Sequence, residues 1–176
     1  MGGLTDFDRR VAESFRTARV LDDVRSHQLD HSSGAIVVTC GDADQMYDLY
    51  GRHCAFYEAH HLATNGHCPS SPRIHVLALY GGGLNIPAES PLVRGGLRKD
   101  EVLLEEIRVT AELKSMSTVV LYAHLPCGAA CLAEIDFLSA TELLFAAKDR
   151  VRATFPDFTV AAFCHVDNGR KRTYFL

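Results

Sequence analysis

The chain has 176 residues, 47% of them hydrophobic, and a formal net charge of −4. This length fits one domain, large enough to bury a core without needing disulfides or a metal merely to fold. A single domain over residues 1–176 is therefore expected, with an N-terminal helical arm at about 1–24. The acidic balance argues against a nucleic-acid partner, which requires a basic surface. No apolar run approaches the roughly 20 residues of a membrane span. Asp6, Asp8, Arg9, Arg10 and Glu13 break up any apolar leader, so a cytoplasmic protein without membrane association is expected. In a reducing compartment the six cysteines are thiols, and with nine histidines they supply the ligands zinc prefers.

The elements follow in chain order. Phe7, Val11, Phe15 and Ala18 share one face of a helix expected over residues 6–24. Residues 26–34 are polar and loop-like. Residues 35–40 form a β-branched run that reads as a buried strand ending at Cys40, and Gly41-Asp42 terminates it. Residues 46–73 are the least regular, a surface helix and loop carrying His53, Cys54, His60, His61, His67 and Cys68. A second metal site there is conceivable, but the spacing is not that of a tight finger. Residues 74–80 read as a strand broken by Gly81, Gly82 and Gly83, and residues 87–97 as a loop. The glycines lack a phosphate-cradle pattern and suit a close backbone approach instead. Helices are expected over 99–114 and 133–154, strands over 118–123 and 158–164, and a short edge strand over 172–176. Apolar strands alternating with helices predict an α/β fold, a mostly parallel sheet flanked by helices on both faces.

In such a sheet, functional groups gather beyond the carboxyl ends of the strands. Cys40 ends one strand, His124 follows another, and Cys127 comes three residues later. Strand ends far apart in sequence can thus bring three metal-binding side chains to one edge. Pro126 stiffens the turn, and Gly128 is expected to let the backbone approach closely. Inert buried thiols and a satisfied strand-end histidine are the alternative reading. Cys131 and Cys164-His165 read as structural.

Cys40-Gly-Asp42 resembles the Cys-x-Asp-x-Arg motif of β-class carbonic anhydrases, and His124-Leu-Pro-Cys127-Gly128 resembles their His-x-x-Cys-Gly motif. The order of elements over residues 35–176, with an Asp-x-x-Gly-like turn starting at Asp167, is similar as well. The resemblance implies zinc ligands at Cys40, His124 and Cys127, a catalytic role for Asp42, and a pocket that includes Asp44 and Gly128. It implies hydration of carbon dioxide to bicarbonate through zinc-bound hydroxide, by a homodimer or a multiple of dimers with the N-terminal helix packed across the interface. Asp44 stands where the family has Arg. Without that cation, Asp42 is expected to gain a proton or to move onto the zinc, unless Arg52, Arg73, Arg94 or Arg98 replaces it. Cys40 and His124 are also further apart than in compact members of the family. Weak hydration, the same chemistry on carbonyl sulfide or carbon disulfide, a non-catalytic zinc protein, and a metal-free cysteine nucleophile activated by His124 are the functions this pattern admits.

Overall fold

The computed structural model describes residues 3–25, 29–42, 45–67, 71–93, 97–167 and 169–176. The β-branched runs pair into a sheet. Strands β1 (Asp22–Asp23), β2 (Ala35–Thr39), β3 (Ile74–Ala78), β4 (Thr118–Leu125), β5 (Thr159–Asp167) and β6 (Lys171–Phe175) lie in the order β1-β6-β5-β4-β2-β3. β3, β2, β4 and β5 are parallel to their neighbours, whereas β6 is antiparallel to β5 and β1 to β6. Every residue of β2 and β4 is buried, which is why these strands read as continuous apolar runs rather than alternating ones. The α/β class and the mostly parallel sheet agree with the sequence reading.

Alternate side chains of the central strands feed two cores. Val119, Leu121 and Ala123 face one core, together with Ile107 of α3 (Lys99–Lys114) and Leu144 of α5 (Phe137–Thr154). Val120 and Tyr122 face the other, with Phe163 and with Leu49 of α2 (Met46–Asn65). A one-residue step along β4 therefore changes the layer that a side chain enters.

Several boundaries differ from expectation. α1 spans Asp6–Thr17 and stops short of residue 24, because Arg19 turns into positive φ (59°) and the chain then enters β1. α1 starts with a capping box between Thr5 and Asp8. It packs on α5 of its own chain, with Phe15 against Phe137 at 6.3 Å between ring centroids. Asp8 Oδ1 accepts the backbone N–H of Phe137 at 2.9 Å. The helix thus packs part of its apolar face on its own chain, while Phe7 on that face stays 47% exposed. Residues 46–65, expected as a surface helix and loop, form the 20-residue α2, and its His53 is fully buried. The helix expected over 133–154 is α5, which starts only at Phe137; a short α4 (Gly128–Leu132) precedes it, and Glu134 at positive φ (56°) separates the two. α5 is capped by Asp136, which accepts from the backbone N–H of Ser139.

Candidate metal centre

Cys40, His124 and Cys127 come together at the carboxyl ends of β2 and β4. One ligand atom from each lies within 4.8 Å of the others, and all three residues are buried. They converge from both layers. Cys40 and Cys127 belong to the α3/α5 side, while His124 alternates with Ala123 and Leu125, which face that core, and so shares the face of Tyr122. His124 sits inside β4 rather than after it, and Cys40 stands one residue beyond β2. Cys127 is the N-cap of α4, in extended conformation, and the backbone N–H groups of Ala129 and Ala130 favour its charged form.

The two sulfurs bear on one another, and their thiols shift in opposite directions. Hydrogen bonds donated by Cys127, by His124 and by the Gly81 N–H outweigh burial and pull the Cys40 thiol down to about 4. The Gly81 N–H stands 3.3 Å from Cys40 Sγ. Cys127 is pushed up by the Cys40 thiolate beside it and by burial. His124 Nε2 is buried and has no protein hydrogen-bond partner among the described residues. Two neighbouring cysteine sulfurs and an orphaned imidazole nitrogen form a donor set that suits a borderline-soft tetrahedral ion such as zinc.

The glycines after β3 meet the expected role. Gly82 has φ +53°, and a Cβ there would lie 2.6 Å from both Cys40 N and Tyr122 O. Only glycine lets this turn press against the ends of β2 and β4. Asn85 fixes the turn by donating to the carbonyls of Tyr80 and Gly82. Gly128 is different: a Cβ there would meet nothing within 4 Å. The close approach expected at Gly128 is not seen among the described residues.

Asp42 Oδ2 lies 3.9 Å from His124 Nε2 but outside the three-donor group. Asp44 and Arg94 fall outside the described residues. Arg98 is paired with Asp100 and Glu101, and Arg73 donates to the Lys114 carbonyl. Arg52 lies toward the sheet face of His124, its charge bearing on His53, Tyr122 and His165. His165 is the Cα partner of His124 in the β4/β5 register. The sequence reads it as structural, and its Nδ1 does bond Thr173 Oγ1 at 3.0 Å, but its buried Nε2 has no partner among the described residues.

No second metal cluster forms among the described residues. His53 turns into the core, His60 and His61 lie along α2, Cys54 is half-buried, and Cys68 is outside the described residues. A cavity of about 260 Å³ opens beside Cys127, between Leu4 and Thr5 before α1, Pro126, and the start of α5 at Phe137.

No protein-family model matches the sequence, and no curated protein matches it. Among solved structures, a carbonic anhydrase from Glaciozyma antarctica is similar over 79% of this chain and 80% of its own, at 11% identity and a TM-score of 0.44. A carbonic anhydrase from Streptococcus mutans is similar over 98% of this chain and 99% of its own, at 14% identity and a TM-score of 0.41. No helix of the described residues is long and apolar enough to cross a membrane.

Proposed function

We propose that this chain binds one zinc ion through Cys40, His124 and Cys127 and uses it for the reversible hydration of carbon dioxide to bicarbonate, weakly near neutral pH. The observation that carries this reading is the buried donor group itself, with its ligand atoms within 4.8 Å of one another and His124 Nε2 otherwise unpartnered among the described residues. Two thiolates and a neutral imidazole would cancel the charge of zinc and leave one position for water, whose ionisation near neutral pH is the chemistry the metal supplies.

The protein's own part is positional. The Gly81 N–H favours the charged form of Cys40, and Cys127 would give up its proton on taking up the ion. Asp42, beside His124, can accept a hydrogen bond from a hydroxyl in the pocket and orient its lone pair. The likeness of the Cys-x-Asp and His-x-x-Cys-Gly motifs to those of β-class carbonic anhydrases supports carbon dioxide as the substrate. It also implies a homodimer or a multiple of dimers, which light scattering at micromolar concentration checks.

A second reading is a closed, non-catalytic zinc site with Asp42 as fourth ligand. The 3.9 Å between Asp42 Oδ2 and His124 Nε2 favours it, because it puts the carboxylate within reach of an imidazole of the donor group. X-ray absorption on the zinc-loaded protein, paired with stopped-flow carbon dioxide hydration, separates the two. A water oxygen in the fourth position with measurable hydration supports the enzyme. A carboxylate in that position with no hydration supports the closed site.

A further inference from the structure

A chain of polar groups runs through the core between α2 and the sheet. His31, from the segment before β2, is 1% exposed and His53 is 0% exposed. His31 Nδ1 lies 3.3 Å from the Leu29 carbonyl, His31 Nε2 lies 3.2 Å from His53 Nδ1, and His53 Nε2 lies 3.1 Å from Tyr122 Oη. A carbonyl only accepts, so His31 carries its proton on Nδ1 and offers Nε2 as an acceptor. His53 then donates from Nδ1, and its Nε2 accepts from the Tyr122 hydroxyl. Every group is satisfied, and this requires both imidazoles to be neutral.

One added proton occupies His53 Nε2, directly or by a shift of tautomer, and leaves the Tyr122 O–H without an acceptor. Two added protons set N–H against N–H across the 3.2 Å gap. Any added charge also sits among rings. Phe56 packs edge-on to both imidazoles, and Phe163 stacks on His53 with centroids 6.1 Å apart. A buried charge without a partner is costly.

The groups facing the pair are few. Arg52, on α2, bears on His53. Asp30, in the loop, and His60, on α2, bear on His31. From the sheet, Tyr122 and Phe163 approach. The Leu29 carbonyl and Asp30 favour an added proton on His31, and burial outweighs both. Burial, His31 and Arg52 together push His53 down to about 3, and burial lowers His31 as well.

We propose that the His31–His53–Tyr122 chain is an acid-released latch: neutral imidazoles hold α2 on the sheet, and their protonation in mildly acidic solution lets α2 open while the central strands stay paired. The latch does not rest on the zinc reading. It bears on the same region, because α2 follows the segment that holds Cys40 and Asp42, and Tyr122 lies two residues from His124 on one strand. The sign follows from the lowered values. The latch is at full strength above the ordinary histidine value of about 6.5 and weakens as pH falls below it, since the open state takes up protons that the closed state refuses.

The test is amide hydrogen exchange on the full-length protein, corrected for intrinsic rates, at about pH 7.5 and about pH 4.5. For one histidine near 6.5 when open and near 3 when closed, α2 opening should rise about 100-fold across that range, with β4 and β5 responding less. A His53→Gln variant keeps an acceptor for Tyr122 and a donor for His31 without a titrating ring, and should lose at least about ten-fold of that response. Unchanged α2 protection in the wild type overturns the latch. So does a full acid response in the variant, which would trace the opening to other titrating groups. If the variant does not fold, ring ¹⁵N spectra of the wild type decide the matter. Neutral Nδ1–H tautomers that gain protons only as α2 protection is lost support the latch, and rings titrating near about 6.5 with α2 still protected overturn it.

Discussion

His124 Nε2 and Asp42 Oδ2 stand 3.9 Å apart, a buried nitrogen without a hydrogen-bond partner among the described residues facing a carboxylate from the next strand end. A cation between or beside them would be attracted to both. In the metal reading this spacing decides between a catalytic and a closed centre.

The metal reading predicts about one zinc per chain by inductively coupled plasma mass spectrometry. Cys40→Ala, His124→Ala and Cys127→Ala should each reduce it to near zero, because two remaining ligands cannot hold a tetrahedral ion against solvent. Cys131→Ala and Cys54→Ala should leave it intact. Full zinc retention in Cys40→Ala would remove the basis of the proposed function.

Hydration should be weak near neutral pH and should rise in Asp44→Arg. Positioning of a proton acceptor is typically worth about 10²–10⁴-fold, and an Arg at 44 would add a cation able to pair with Asp42 and hold it off the metal. Stopped-flow measurement of both proteins across pH checks this. Fast wild-type hydration without a cation on Asp42 would count against the electrostatic argument.

Gly82→Ala should destabilise the fold by about 3 kcal/mol and weaken zinc binding by at least about ten-fold. The added Cβ meets backbone atoms of Cys40 and Tyr122 at 2.6 Å, and backbone cannot rotate aside. Urea denaturation and competition with a chromophoric chelator read the two effects. A Gly128→Ala control, at a position with open space around it, should change zinc affinity little.

Asp100 is fully buried and is held by Arg98 and by Arg150 of α5, each with a nitrogen 2.9 Å from Oδ2. The Arg98 hydrogen bonds keep its carboxyl well below the usual carboxylate range. Its contribution is therefore present above about pH 4 and lost as pH falls through the lowered value. Asp100→Asn should cost about 2 kcal/mol at neutral pH, less than for a fully buried pair because Arg98 is half exposed. The gap from wild type should narrow toward about pH 2. Denaturation curves at several pH values measure it, and a gap independent of pH would show that the carboxylate charge is not the stabilising feature.

Local pattern was enough for the central strands, for α3, and for a polar edge carrying Cys40, His124 and Cys127. A strand buried on both faces must be apolar throughout, and a chain leaving such a strand can place Cys or His only at its end. The glycines at 81–83 were legible as a close approach for a similar reason, since no other residue accepts that conformation against neighbouring backbone. The partners of each element were decided only by the tertiary structure. The two residues of β1 carry no strand signal alone and exist because β6 offers a hydrogen-bonded edge. α2 is apolar on several sides, so its period does not reveal which side is buried, and His53 reads as a surface ligand until Phe56, Tyr122 and Phe163 enclose it. α1 has an apolar face but no indicated partner in the sequence, and α5 of the same chain supplies one. Sequence period records how much of a residue is hidden, whereas the identity of what hides it, and with it the pairing of His31 with His53 and of His124 with Asp42, depends on contacts between segments that no local window spans.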